Sequence, residues 1–219
     1  MAPPAETRKR YGQFCGLARS LDVVGDRWTL LVIRELLIGP RRYSELQAGL
    51  PGIATNLLAE RLRQLKRDGL VDRRLEQEPE DGTKYVLTRR GESLRSVIEG
   101  LVRWSDPLMS SGIGTDEFRP AWLAVALPAL VKARPSEPVS MSVETAGEHL
   151  LLEVSVAGVT AKLGKVDDVD VTLKAEPGVI LGLASGALTI QDALRRGART
   201  TGDRRALNRV FCSSSRSRR

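Results

Sequence analysis

The chain of 219 residues has one histidine, two cysteines and 4% aromatic residues. His149 sits beside Glu148 and close to Gly147, with no cysteine or second histidine nearby to make a metal site. Cys15 and Cys212 are far apart in sequence and cannot build a disulfide framework, which fits a reducing cytoplasm. No apolar run approaches the roughly 18 residues of a membrane-spanning helix, and the first ten residues, MAPPAETRKR, lack the apolar core of a signal peptide. A cytoplasmic protein without a membrane span is expected. Phosphate loops, nucleophile elbows and dinucleotide fingerprints are also missing, because the glycines are scattered at turns. The expectation is a non-enzyme with no cofactor and no metal; an enzyme working through Asp and Glu alone is the remaining enzymatic reading.

What is present is charge and apolar surface. With 42% hydrophobic and 28% charged residues, the chain can form one large domain or two small ones, and two are expected. Its net charge of +7 and pI near 9.8 favour a polyanionic partner. The charge is unevenly spread: 19 basic against 15 acidic residues from Met1 to Met109, 6 against 11 from Ser110 to Leu194, and 9 against 1 from Arg195 onward. An acidic middle is a poor surface for DNA.

The stretch from Arg41 to Gly69 organises the first half. RRYSELQAGL places Tyr43, Leu46 and Leu50 on one helical face, and Leu50-Pro51-Gly52 stops that helix. A second helix is expected from about Ala54, with Leu58, Leu62 and Leu65 on the core stripe and Asn56, Glu60, Arg63 and Arg67 on the opposite side. Taken alone this is an ordinary amphipathic surface helix. Before it, residues 1–10 read as a flexible arm, 13–24 as a short helix, and Asp26 as the cap of a helix through RWTLLVIRELL ended by Gly39 and Pro40, with Trp28, Leu31, Val32, Leu36 and Leu37 in the core. After it, strands at 70–77 and 83–88 around a polar turn at 78–82 make a two-stranded wing carrying Arg73, Arg74 and Lys84. Such a hairpin either holds DNA backbone beside a helix in the major groove or merely covers the core. A helix over 91–109 carries Leu94, Val97, Ile98, Leu101 and Trp104, suited to a twin subunit or to burial within the chain.

Cys15, DVVGDRWTLLVIRELLIGPRRYSEL, LPGIATNLLAERLRQLKRDGLVDRR, KYVLTRRGESL and Trp104 together resemble the HxlR group of winged-helix transcription regulators. The resemblance implies a homodimer built from the domain's first and last helices, set on a roughly palindromic operator of double-stranded DNA. The chain departs from the family in Gly16, where proline often follows the cysteine, and in Ala54, where Ser or Thr often opens the recognition helix. Thr55 is the alternative cap. In this frame Thr55, Asn56, Ala59, Glu60 and Arg63 face base edges, while Arg41, Arg42, Arg73, Arg74 and Lys84 hold phosphates. Some family members sense oxidants through the early cysteine, so Cys15 is a candidate sensor; the competing reading is a structural thiol.

Residues 110–119 read as a polar linker. Beyond it come a helix at 120–134 that Pro128 should kink and a four-stranded antiparallel meander at 139–144, 150–156, 159–166 and 169–174. Two short helices follow, then an extended piece at 198–201 and a last helix from Asp203. Asp170-Val171-Thr172-Leu173, Gly186, Asp192-Ala193-Leu194 with Gly197, and Thr201-Gly202-Asp203 resemble the sterol-carrier-protein domain, whose strands and helices enclose an apolar tunnel. Leu181, Leu183, Ala184, Leu188, Ile190, Leu194, Leu207 and Val210 are candidates for lining such a pocket, although apolar residues at these spacings also make ordinary core. Residues 212–219 form a basic tail.

The expected fold is therefore α+β. An arm (1–10) precedes a winged helix-turn-helix domain (11–109), a linker (110–119) and an α+β domain with an antiparallel sheet of the sterol-carrier type (120–211). The expected function is a homodimeric DNA-binding regulator with a hydrophobic small-molecule or lipid effector. A lipid carrier with a non-functional helix-turn-helix and a protein scaffold are the competing classes; only the regulator binds duplex DNA with a steep salt dependence.

Overall fold

The computed structural model describes residues 10–75, 83–111 and 114–211, which divide into two compact units, 1–94 and 95–219.

The first unit orders four helices, a hairpin and a helical turn: α1 (Gly16–Val24), α2 (Thr29–Ile38), α3 (Tyr43–Gly49), α4 (Thr55–Arg67), β1 (Val71–Leu75), β2 (Thr83–Leu87) and α5 (Arg89–Glu92). Its core collects Val32, Ile33 and Leu36 of α2, Leu46 of α3, and Leu58, Leu62 and Leu65 of α4, all nearly inaccessible to solvent. The apolar stripe expected on α4 is thus the buried one. Gly69 (φ 68°) ends α4: its N–H donates to the Lys66 carbonyl and that of Leu70 to the Leu65 carbonyl, a Schellman closure that turns the chain into β1. β1 and β2 pair antiparallel with Arg73 opposite Tyr85 and Arg74 opposite Lys84. The expected polar turn, 78–82, and the last two residues of the expected first strand, 76 and 77, lie outside the described residues.

Two expectations for α2 are corrected. Asp26 does not cap it: the residue before its first turn is Trp28, at φ 77°, and the Asp26 carboxylate instead pairs with Arg61 of α4 at 3.0 Å. Leu31 is 41% exposed rather than in the core, because Val32, Ile33 and Leu36 occupy the inward face of this short helix.

The second unit begins with α6 (Arg95–Trp104), so the boundary between compact units falls ahead of this helix, whereas the sequence ends the first domain at Met109. The single helix expected over 91–109 is three pieces, α5, α6 and a 3-10 turn at Asp106–Ser111. The Thr88 hydroxyl starts α5 by accepting from the Gly91 N–H at 3.1 Å while donating to the Gly69 carbonyl at 2.6 Å. Of the expected apolar stripe on α6, Ile98 is buried, whereas Val97, Leu101 and Trp104 are exposed. The helix expected over 120–134 is a 3-10 turn, Pro120–Trp122, followed by α7 (Leu123–Leu130), which ends two residues past Pro128.

A five-stranded sheet follows: β3 (Val139–Thr145), β4 (Glu148–Ser155), β5 (Gly158–Leu163), β6 (Val171–Lys174) and β7 (Arg199–Gly202), in the order β5-β4-β3-β6-β7. The expected antiparallel meander is corrected here. β6 does not continue beyond β5 but lies parallel to β3 on its other side, so the sheet is mixed, and the extended piece near 198–201 joins it as a fifth strand. Asp170 explains the pairing. Its carboxylate accepts from the Ser140 N–H at 2.7 Å and the Ser140 hydroxyl at 2.9 Å, and its N–H donates to the Ser140 carbonyl, clamping the start of β6 to β3. These bonds, the backbone N–H first, hold the Asp170 carboxyl below its usual range. Around the sheet lie α8 (Pro177–Ser185), closed by Gly186 at φ 79°, then α9 (Ile190–Arg195) and α10 (Arg204–Val210). Met141, Leu150, Leu152 and Leu173 of the sheet, Leu123 and Leu127 of α7, and Ile180 of α8 are fully buried.

Candidate nucleic-acid interface

α3 and α4 are locked at their junction. The Tyr43 hydroxyl donates to the Thr55 carbonyl at 2.6 Å, and the Gln47 amide donates to Thr55 Oγ1 at 2.8 Å. α4 therefore opens with Ala54 as its cap residue and no side-chain cap. This corrects the reading of Thr55 as the cap: Thr55 is the first helical residue, and its hydroxyl is taken by Gln47. At the other face, Arg61 donates to Asp26 and to the Arg27 carbonyl, tying the middle of α4 to the turn before α2. A helix held at both places presents its outer face in a fixed orientation, which a base-reading helix requires.

That outer face carries Thr55, Asn56 and Arg63, all exposed, with Ala59 and Glu60 half-buried between them. Asn56 Oδ1 accepts from the Leu57 N–H, the Arg63 Nε donates back to the Ala59 carbonyl at 3.3 Å, and Glu60 lies 3.6 Å from Arg61. The wing brings cations to both its faces. On one, Arg73 lies over the Tyr85 ring, 5.6 Å from its centroid, and Arg41 bridges to Tyr85 through both backbone hydrogen bonds, N–H to carbonyl in each direction. On the other, Arg74 stands opposite Lys84. Arg42 starts α3 with its N–H donating to Glu45 Oε2 at 2.6 Å. All ten expected DNA-contacting residues therefore belong to the first unit, on α4, on the wing, or on the strand-like turn that leads into α3.

Tyr43, Gln47, Arg61 and Tyr85 were not singled out in the sequence as site residues, although each fixes a contact-bearing element. Tyr43 and Gln47, four apart on α3, carried the available signal: two polar-tipped side chains aimed at one helix terminus.

Cys15 precedes the first turn of α1 and is exposed. The backbone N–H groups of Ala18 and then Leu17 lower its thiol pKa, although neither reaches full capping geometry. Of the eight residues expected to line an apolar pocket, Leu183, Ala184, Leu207 and Val210 are buried, and Leu181, Leu188, Ile190 and Leu194 are half-buried. None of them borders the cleft of about 250 Å³ that opens at one end of the five-stranded sheet.

Residues 23–112 match the family model of the HxlR-like helix-turn-helix. The uncharacterized HTH-type transcriptional regulator YkvN of Bacillus subtilis is 36% identical over 90 residues, 41% of this chain and 76% of the relative. The chain belongs to the HxlR-like helix-turn-helix family. The B. subtilis regulator YodB is 32% identical over 93 residues, covering 42% of this chain and 83% of the relative. The solved reduced form of YodB covers 46% of this chain and 99% of its own length, at 32% identity and a TM-score of 0.40. The HxlR-like match runs from the last two residues of α1, Val23 and Val24, past the 3-10 turn after α6, and so includes α4 and both strands of the wing. Its relatives are HTH-type transcriptional regulators, which supports duplex DNA as a partner. Among the described residues no helix is long and apolar enough to cross a membrane.

Proposed function

We propose that this chain is a transcription regulator that binds a pseudo-palindromic operator as a homodimer, reading bases with α4 and holding phosphates with the wing. The observation that carries this reading is the exposed Thr55, Asn56 and Arg63 face of a helix clamped at its start and its middle, in one unit with a hairpin that sets Arg74 opposite Lys84. Self-association draws support from apolar surface left open: Phe14 is fully exposed and Leu17 68% exposed at α1, and Trp104 is 72% and Leu108 66% exposed in and after α6. Large apolar side chains left exposed in number are the material of interaction surfaces. The expected assay is a footprint on the DNA flanking the protein's own gene: two protected blocks about one helical turn apart, lost when Arg63 is replaced by Ala. Absence of any protected block would reject the reading and leave the carrier or scaffold classes.

The second unit we assign to control, as a module of the sterol-carrier type that takes a hydrophobic ligand or lipid. Support comes from the element order, in which β3 to β6 are followed by α8, α9, β7 and α10, with an apolar α8 ended by Gly186. A hydrophobic effector should change operator affinity by a coupling of about 1 to 3 kcal/mol. Unchanged operator binding across a panel of ligands shown to bind the full chain would sink that assignment. A second input, oxidation or alkylation of Cys15, is favoured by its exposure and its lowered thiol pKa.

A further inference from the structure

On the outer face of α4 the hydrogen-bond acceptors are occupied within the chain, and the donors are not. Thr55 Oγ1 accepts from the Gln47 amide at 2.8 Å, while the Thr55 hydroxyl proton has no acceptor among the described residues. Asn56 Oδ1 accepts from the Leu57 N–H at 2.9 Å, and the Asn56 amide N–H groups are likewise unspent. Further along, Gln64 Oε1 accepts from Arg67 at 2.6 Å. The Glu60 carboxylate lies 3.6 Å from Arg61, whose guanidinium also holds Asp26. Arg63 has no acceptor to offer, and beyond its Nε contact to Ala59 its N–H groups make no hydrogen bond to a described residue.

Gln47 sets the polarity at Thr55. A hydroxyl carries one proton and two acceptor lone pairs. With the Gln47 N–H already aimed at the oxygen, the Thr55 proton is left to point away from α3, at the exposed start of α4. Tyr43 holds the same residue by donating to its carbonyl at 2.6 Å. A threonine without these partners donates or accepts with equal ease; this one is turned into a donor.

The major groove distinguishes such a face. Guanine offers two acceptors side by side, N7 and O6, whereas adenine sets one acceptor beside an amino donor and cytosine offers an amino donor. Donors from Thr55, Asn56 and Arg63 are satisfied by guanine edges. Adenine and cytosine amino groups pressed against them would lose water without gaining an acceptor, which costs binding free energy.

We infer that α4 selects an operator half-site whose guanines accept, on N7 and O6, from Thr55, Asn56 and Arg63, with Gln47 the positioning residue that makes Thr55 a donor. This rests on α4 being the base-reading helix, as proposed above, and adds the class of base that it reads.

The test is selection of binding sites from a random duplex pool by the full chain, followed by substitution within the selected site. Each half-site should carry guanine in the block that α4 protects, and 7-deazaguanine, which pairs normally but lacks the N7 acceptor, should weaken binding about tenfold there. Gln47→Glu replaces the donor facing Thr55 by an acceptor, which draws the Thr55 proton inward. Its negative charge should weaken all duplexes alike, but the preference at one base pair should also fall about tenfold relative to the rest of the half-site. An enriched half-site without guanine under α4, or one indifferent to 7-deazaguanine, overturns the inference and leaves the regulator reading standing. So does a Gln47→Glu variant that loses affinity and keeps every base preference, the result of a merely structural role. A pool with no enriched sequence removes the regulator reading and this inference together.

Discussion

Asn56 and Arg74 separate two jobs that a single affinity would blur. Asn56 is exposed on the reading face of α4, so Asn56→Ala should cost about 1 to 3 kcal/mol on the operator and little on unrelated duplex, relaxing discrimination at one base position. Arg74→Ala should weaken both duplexes alike, because a phosphate contact carries no sequence information. Competition binding with operator and random duplex reads both, and equal losses for the Asn56 variant would contradict its placement. Gly91 tests the fold instead: a Cβ there would lie 2.1 Å from the Leu70 carbonyl oxygen and 2.9 Å from Leu87 Cδ2. Gly91→Ala should cost about 1 to 3 kcal/mol in denaturant unfolding, whereas Gly100→Ala, whose nearest neighbour is the Arg103 guanidinium 4.0 Å away, should cost nothing. At this scale the sequence was informative where periodicity decides. Leu58, Leu62 and Leu65 sit inward as their spacing requires, and Asn56 and Arg63 outward. It was misleading where a side chain had two chemically reasonable partners: Asp26 could cap α2 or pair with Arg61, and only the tertiary approach of α4 decides for Arg61.

Elements were legible by type and less so by pairing. The hairpin β1–β2 announces itself locally, but the parallel match of β6 to β3 depends on Ser140 and Asp170, which are thirty residues apart. No local pattern distinguishes that arrangement from a meander. The clamp predicts an acid-sensitive second unit. The Asp170 carboxyl is lowered in the fold, and Asp192, held chiefly by the Thr189 hydroxyl and then the Thr189 N–H at the start of α9, sits at about 2. A depressed carboxyl contributes stability that is complete above the ordinary carboxylate pKa of about 4 and lost as pH falls through the folded value. Denaturant midpoints of the full chain should therefore fall between about pH 4 and pH 2, and Asp170→Ala should flatten that fall. At neutral pH the same substitution should cost about 1 to 2 kcal/mol in unfolding, through the lost hydrogen bonds to Ser140. A slope unchanged by the substitution would show that the clamp contributes nothing.

For the whole molecule, charge and exposed apolar surface were visible early, in the unequal distribution of Arg and Lys and in the stripe of α6. What covers α6 was not, because Val97, Leu101 and Trp104 read the same in sequence whether a twin or the chain itself covers them. The central claim is that α4 and the wing bind duplex DNA, and the most direct measurement is a salt titration on the DNA flanking the protein's own gene. The logarithm of the affinity should fall linearly with the logarithm of salt concentration, by about 0.9 per phosphate contact. Replacing Arg73 and Arg74 with Gln in both copies of a dimer removes four such contacts and should reduce the slope by about 3 to 4. Binding that is indifferent to salt, or a slope unmoved by the double substitution, would contradict the account.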